Sequence, residues 1–228
     1  APYDAPFYTN TLAETQERFF SARERGALIM VNHPFEGDSS FKFDLNALPF
    51  DCLEVWNGPM RESNLKALGL WQQLLASGSR LPITGGSDYH RDTPFIFLGG
   101  PTMGVYAMSG GANDILDAVR QGHSFITFAP NGPAAEMNAG NGMMGDQVSW
   151  QETRKLKFRV EGLLKGDVVR VVTAAATDAI FTVATDGTLE MIYTMQEPGF
   201  ARLEVLRAFL PGLPMLPALI TNPIYFTA

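Results

Sequence analysis

The chain has 228 residues, enough for one large domain or two small ones, and its 46% hydrophobic and 18% charged residues are the mix of a folded globular protein. A formal net charge of −7 with no basic run excludes a general nucleic-acid surface, which needs clustered Lys and Arg to displace counterions. The single cysteine, Cys52, excludes an internal disulfide and a Cys-rich zinc site; no apolar stretch reaches the roughly 18 residues of a membrane-spanning helix, so no membrane partner is expected.

The opening Ala-Pro-Tyr-Asp-Ala-Pro is extended and lacks the basic region and apolar core of a signal peptide. It reads as a chain entering mid-domain. Thr11-Leu12-Ala13-Glu14 spells a capping box, predicting a helix to about Arg25 with Gly26 as its stop. Residues 27–32 form a short apolar strand, ended by His33-Pro34. A second strand is expected at 52–57, Cys-Leu-Glu-Val-Trp-Asn. A helix follows over 62–76, where Leu65, Leu68, Trp71, Leu74 and Leu75 recur at helical spacing. Residues 81–84 make a third strand, ending at Gly85-Gly86-Ser87-Asp88-Tyr89-His90. Residues 95–98 and 103–108 read as extended, 112–121 as a helix closed by Gly122, and 123–128 as the last strand of this half.

Alternation of strand and helix to this point predicts an α/β layered or barrel fold. From about residue 130 the texture changes: strand candidates at 157–161, 168–173, 180–184, 189–193 and 201–207 follow without helices between them. Asp186-Gly187 reads as a hairpin turn between two of these strands. The expected organisation is therefore 1–130 as an α/β unit and 131–228 as a small antiparallel sandwich packed against it.

Chemistry concentrates at strand ends. Asp88 and His90, two apart in an extended segment, project to one side and can share an ion, and the preceding glycines permit a tight turn. His33 ends another strand, and strand ends are where α/β folds bind ligands. Together His33, Asp88 and His90 make a two-histidine, one-carboxylate set suited to Zn, Mn or Fe. Taken singly each has a plainer reading: Asp88 as a cap, His90 on the surface, His33 as a structural residue before proline. Glu54 sits between Leu53 and Val55 in an expected buried strand, where an unpaired carboxylate is costly; it needs a partner, a proton or a nearby cation. A salt bridge or a solvent-facing side of the strand would serve equally. Asn57, ending the same strand, either bonds substrate or holds the turn. Cys52 reads as a core residue, Trp56, Trp71 and Trp150 as core or interface residues, His123 as core or surface, and Asp146 as a loop residue. No Gly-x-Ser-x-Gly, Walker-type loop or complete dinucleotide fingerprint occurs.

The segments VNHPF, LEVWNG and TGGSDYH, in that order and spacing, resemble the C-terminal half of PHP-domain proteins, in the branch that includes carbaryl hydrolase-like metallohydrolases. VRQGHSFITFAPNGPA, GMMGDQVS and the closing ALITNPIYF support the likeness, which covers about residues 15–148 and the last ten. The resemblance implies a distorted βα barrel with two or three divalent ions at the C-terminal ends of its strands. It implies attack by metal-bound hydroxide on a small-molecule phosphate ester, carbamate or amide. His33, Asp88 and His90 then match metal ligands, Glu54 takes a catalytic position and Asn57 a substrate-binding one. The family's opening His-x-His and its later Asp-His pair have no counterpart, since the chain's only other histidine is His123. The chain is thus expected to be a C-terminal piece, or a degenerate site, that binds metal weakly and turns over poorly. Its exposed barrel edges would favour a homo-oligomer. Two functions follow: a metal-dependent hydrolase of the PHP type, or a non-catalytic ligand- or partner-binding module.

Overall fold

A computed structural model describes residues 10–94, 96–175 and 177–227. Helix α1 (Leu12–Glu24) begins at the expected capping box: Thr11 Oγ1 accepts from the Glu14 N–H at 3.2 Å, and Glu14 Oε2 accepts from the Thr11 N–H at 3.0 Å. It ends at Arg25, after which Gly26 turns with a left-handed φ of 79°. Strands β1 (Met30–Val31), β2 (Cys52–Asn57) and β3 (Ile83–Gly86) form a parallel three-stranded sheet in that order, with Val31 opposite Leu53 and Leu53 opposite Ile83. Helix α2 (Glu62–Ala76) is the crossover between β2 and β3. Its Ala67, Leu68, Trp71 and Leu75 pack with Val31, Leu53, Val55 and Ile83 in one core, and Trp71 Nε1 donates to the Leu81 carbonyl at 2.7 Å.

The barrel expectation fails after β3. Strand β4 (Thr102–Val105) does not extend the parallel sheet. It pairs antiparallel with β5 (Ser124–Thr127), which follows helix α3 (Ala112–Gln121). The remaining strands are β6 (Ala134–Ala139), β7 (Gly142–Met143), β8 (Gln147–Ser149), β9 (Lys155–Leu163), β10 (Val168–Val172), β11 (Thr177–Thr182), β12 (Gly187–Thr194), β13 (Gly199–Arg207), β14 (Leu216–Thr221) and β15 (Ile224–Thr227). One sheet runs β11-β10-β13-β14-β5-β4, with β15 joining β13 to β8, and the other runs β12-β9-β6-β7. The two share a core in which Met137, Leu156, Phe158 and Val160 meet Val169, Val171, Leu203 and Leu219, so this region is a β-sandwich.

Three helices and fifteen strands among the described residues make a predominantly β protein, and no βα barrel is present among them. The α/β barrel read from the sequence is therefore corrected to a three-stranded parallel sheet with α2 as its crossover, set against a sandwich. The physical cause is β5: its partner β14 comes from more than 80 residues downstream, and Leu219, Ile220 and Thr221 face Thr127, Ile126 and Phe125. Sheet hydrogen bonding therefore runs across residue 130. The Asp186-Gly187 hairpin is also corrected. Strands β11 and β12 flank that turn but belong to opposite sheets, pairing with β10 and β9 respectively.

Candidate functional site

The C-terminal ends of β1, β2 and β3 lie side by side because the three strands are parallel and in register. His33 leaves β1 with φ 32° and Asp88 leaves β3 with φ 48°. Among the described residues these are the non-glycine positions with left-handed backbone. Such a conformation costs an L-residue about 1–2 kcal/mol and concentrates where function holds it. Both flank the end of β2, where Glu54 is buried at 7% exposure beside the fully enclosed Asn57.

Glu54 is the electrostatic centre of the arrangement. Its Oε2 accepts from the His33 backbone N–H at 2.6 Å, and the Asn57 amide donates to both carboxylate oxygens at 3.3–3.4 Å. Burial pushes the carboxyl above its usual range, and these hydrogen bonds and the His33 imidazole oppose the rise, while the Asp88 charge adds to it. Thr84 pairs with Glu54 in the sheet register. Buried side-chain polar atoms lacking a hydrogen bond are three among the described residues; two of them, His33 Nδ1 and Thr84 Oγ1, belong to this strand-end group. Unsatisfied groups of this kind call for a partner from outside the chain or an ordered solvent molecule.

His90 stands apart. Its Nδ1 lies 2.7 Å from the Asp88 backbone carbonyl and 3.6 Å from Asp88 Oδ1, and its side chain is 78% exposed. Among the described residues no three His, Cys, Asp or Glu side chains stand close enough together to hold a metal ion. The donor types nevertheless suit a divalent cation: a buried imidazole nitrogen with no hydrogen bond, a buried carboxylate with no Lys or Arg ion pair among the described residues, and a second carboxylate near enough to act on the first. Trp56, Met60, Phe97, Phe128, Phe209 and Leu216 line an apolar hollow of about 280 Å³ between the end of β2 and the sandwich; it begins at Gly58, one residue past Asn57, and has none of the strand-end donors in its lining. A larger hollow of about 690 Å³ lies over the outer face of β12-β9-β6 among Glu136, Lys157, Arg159 and Glu190, and contains none of the strand-end donors.

His123 and Asp146 form a pair that the sequence left unconnected. His123 Nε2 lies 2.9 Å from Asp146 Oδ1, and Asp146 Oδ2 accepts from the Met143 N–H at 2.9 Å. The contact depends on glycine: a Cβ at Gly145, whose φ is 94°, would lie 2.2 Å from the Gln121 carbonyl oxygen. Cys52 has no exposed surface, and burial, with Asp51 beside it, pushes its thiol up to about 12. The native protein should therefore leave a disulfide thiol reagent unconsumed and take up one equivalent after unfolding in urea; one equivalent consumed rapidly without urea would contradict the burial.

No family model matches the chain, and no curated protein matches it. Among solved structures it is similar to a CARDB domain of Pyrococcus furiosus determined by NMR in solution, with 15% identity over 41% of this chain and 93% of that one, at a TM-score of 0.27. A likeness at that level carries no inference about this chain's function.

Proposed function

We propose that the strand-end group is part of the site of a metal-dependent hydrolase of the PHP type, acting on a small-molecule ester, most readily a phosphoester. The observation that supports this reading is the buried carboxylate of Glu54, bonded by the N–H of the left-handed His33 and within reach of the charge of the left-handed Asp88. His33 through its unpartnered Nδ1, Asp88 through its carboxylate and His90 by rotation of its exposed ring would hold a Zn, Mn or Fe ion. The metal, when bound, would supply a water of lowered pKa and a counter-charge for the ester oxygens. Glu54 keeps a proton at its carboxylate more readily than an exposed glutamate does, which fits a group that gives or takes one at the strand ends. Asn57 orients that carboxylate through its amide. The Trp56 and Phe128 hollow would receive an apolar part of the ester and exclude water from it.

Asp88→Gly tests the reading with the fold kept intact. Glycine accepts a φ of 48° freely, so the relief of backbone strain offsets its extra chain entropy, and stability should change by less than about 1 kcal/mol. The native protein should gain thermal stability with Zn or Mn and retain metal through gel filtration; Asp88→Gly should do neither. No metal uptake by the native protein, even with excess metal, removes the hydrolase proposal. It would favour the second reading, a non-catalytic ligand- or partner-binding module.

A further inference from the structure

A second cleft, sharing no residue with the strand-end group, lies open to solvent between α2 and the β10 side of the sandwich, with a volume of about 480 Å³. At one end stand two arginines and one glutamate. Arg170 Nε donates to Glu204 Oε2 at 2.7 Å and its Nη2 bonds the same oxygen, while Arg202 Nη1 bonds Glu204 Oε1. Arg202 and Glu204 are almost wholly enclosed, at 2% and 1% exposure, and Arg170 reaches the cleft with 30% of its side chain exposed. Gln72 of α2 accepts from Arg202 Nη2 at 3.0 Å and donates to the Thr173 carbonyl at 2.7 Å, and the Arg202 guanidinium lies 4.8 Å from the Trp71 ring centre. Among the residues lining the cleft, Glu204 is the one carboxylate, so the group carries one excess positive charge in a chain of net charge −7. The enclosed Arg202 has Glu204 and Gln72 as partners, so the surplus falls on the partly exposed guanidinium of Arg170, where an anion from solution can reach it.

The rest of the cleft is apolar, built from Leu65 and Leu68 on α2 with Val172, Ala174 and Ala175 opposite. Gly69 stands in the interior of α2 and lines the same cleft, and a Cβ added there would meet nothing within 4 Å. A helix-interior glycine costs about 1 kcal/mol relative to alanine. Neither close packing nor a left-handed backbone accounts for it here, and the exposed position leaves room beside it in the cleft wall. From the charge surplus at one end and the apolar lining beside it, we propose that this cleft binds a small monoanion with an apolar body, its carboxylate on the exposed edge of the Arg170 guanidinium and its tail along Gly69. A guanidinium meets a carboxylate through paired, charge-assisted hydrogen bonds, and one negative charge neutralises the surplus.

Sodium hexanoate is the probe, followed by calorimetry and by chemical-shift changes in the full chain, with hexylammonium chloride at equal ionic strength as control. The native protein should bind hexanoate saturably at millimolar concentrations and hexylammonium not at all. Arg170→Gln, at a partly exposed position, should weaken hexanoate by about tenfold or more, the worth of a charge-assisted contact. Gly69→Leu should abolish binding while keeping or raising the melting temperature, since it fills open space and improves the helix; circular dichroism checks that both variants are folded. The proposal is overturned by absence of saturable hexanoate binding, by equal binding of hexylammonium, or by native affinity in either folded variant.

Discussion

Glu204→Ala should destabilise the protein by about 3–5 kcal/mol, because it strips the counter-charge from Arg202 and Arg170 and leaves a buried guanidinium uncompensated. Burial alone would raise the Glu204 carboxyl, but attraction from Arg202 and Arg170, with their hydrogen bonds, pulls it below the usual 4.5. Burial instead pulls the Arg202 guanidinium down, against the attraction of Glu204, with Arg170 adding to the fall. One carboxylate stabilised by two cations, and a cation sharing one anion, express the same shortage of negative charge. A carboxyl lowered on folding contributes stability that is present above its unfolded value and lost as pH falls through its folded value. The difference between native protein and Glu204→Ala in urea should thus be full at neutral pH and shrink below pH 4.5. A loss under 1 kcal/mol at neutral pH, on the order of an exposed ion pair, would show that solvent already screens the group.

Local features of the sequence carried over well into the structure. Helices α1, α2 and α3 begin and end within a residue or two of their expected limits, because the capping box, the leucine spacing and Gly122 act within a turn of the chain. Strand β2 has the expected limits, and Trp71, Trp56 and Cys52 are buried as their apolar surroundings suggested. Sheet membership was not legible. Which sheet β5 joins depends on β14, and nothing near residues 124–127 encodes that partner. Strands β6, β7, β8, β14 and β15 were not legible. In β6 the inward residues Ala135, Met137 and Ala139 are mostly small, and β14 and β15 are separated by only Asn222 and Pro223.

At the strand ends the sequence pointed to His33, Asp88 and Glu54; in the structure the His33 N–H bonds Glu54 and the Asp88 charge acts on the same carboxylate, while their side chains do not gather into a metal-holding group among the described residues. The equal projection of Asp88 and His90 rested on an extended backbone. Asp88 instead turns left-handed, which sends the His90 ring back to the Asp88 carbonyl and out to solvent. The His123–Asp146 pair was hidden for a different reason. Its partners are 23 residues apart, and they meet through the close approach of Gly145 to the end of α3, a contact between backbones that side-chain pattern does not record.

Gly85→Val should cost about 3 kcal/mol and should also disrupt the strand-end group. A Cβ at Gly85 would lie 2.8 Å from the Trp56 carbonyl oxygen on β2 and 2.8 Å from Ile126 Cγ2 on β5. One contact is backbone and the other is a fully buried core side chain, so neither can move aside cheaply, and overpacking of this kind costs about 1–3 kcal/mol or somewhat more. Gly85 is the point where the parallel sheet meets the sandwich, and its missing side chain lets β3 sit between β2 and β5. A valine would push β3 outward and carry Asp88, three residues on, away from Glu54. Gly86→Ala is the control, because a Cβ there meets nothing within 4 Å, and it should leave the urea midpoint close to native. The expected pattern is a lowered midpoint for Gly85→Val and a native one for Gly86→Ala; under the proposed function, metal retention is lost in the first and kept in the second. A Gly85→Val variant with the native midpoint would mean that β3 and β5 approach less closely than these contacts require.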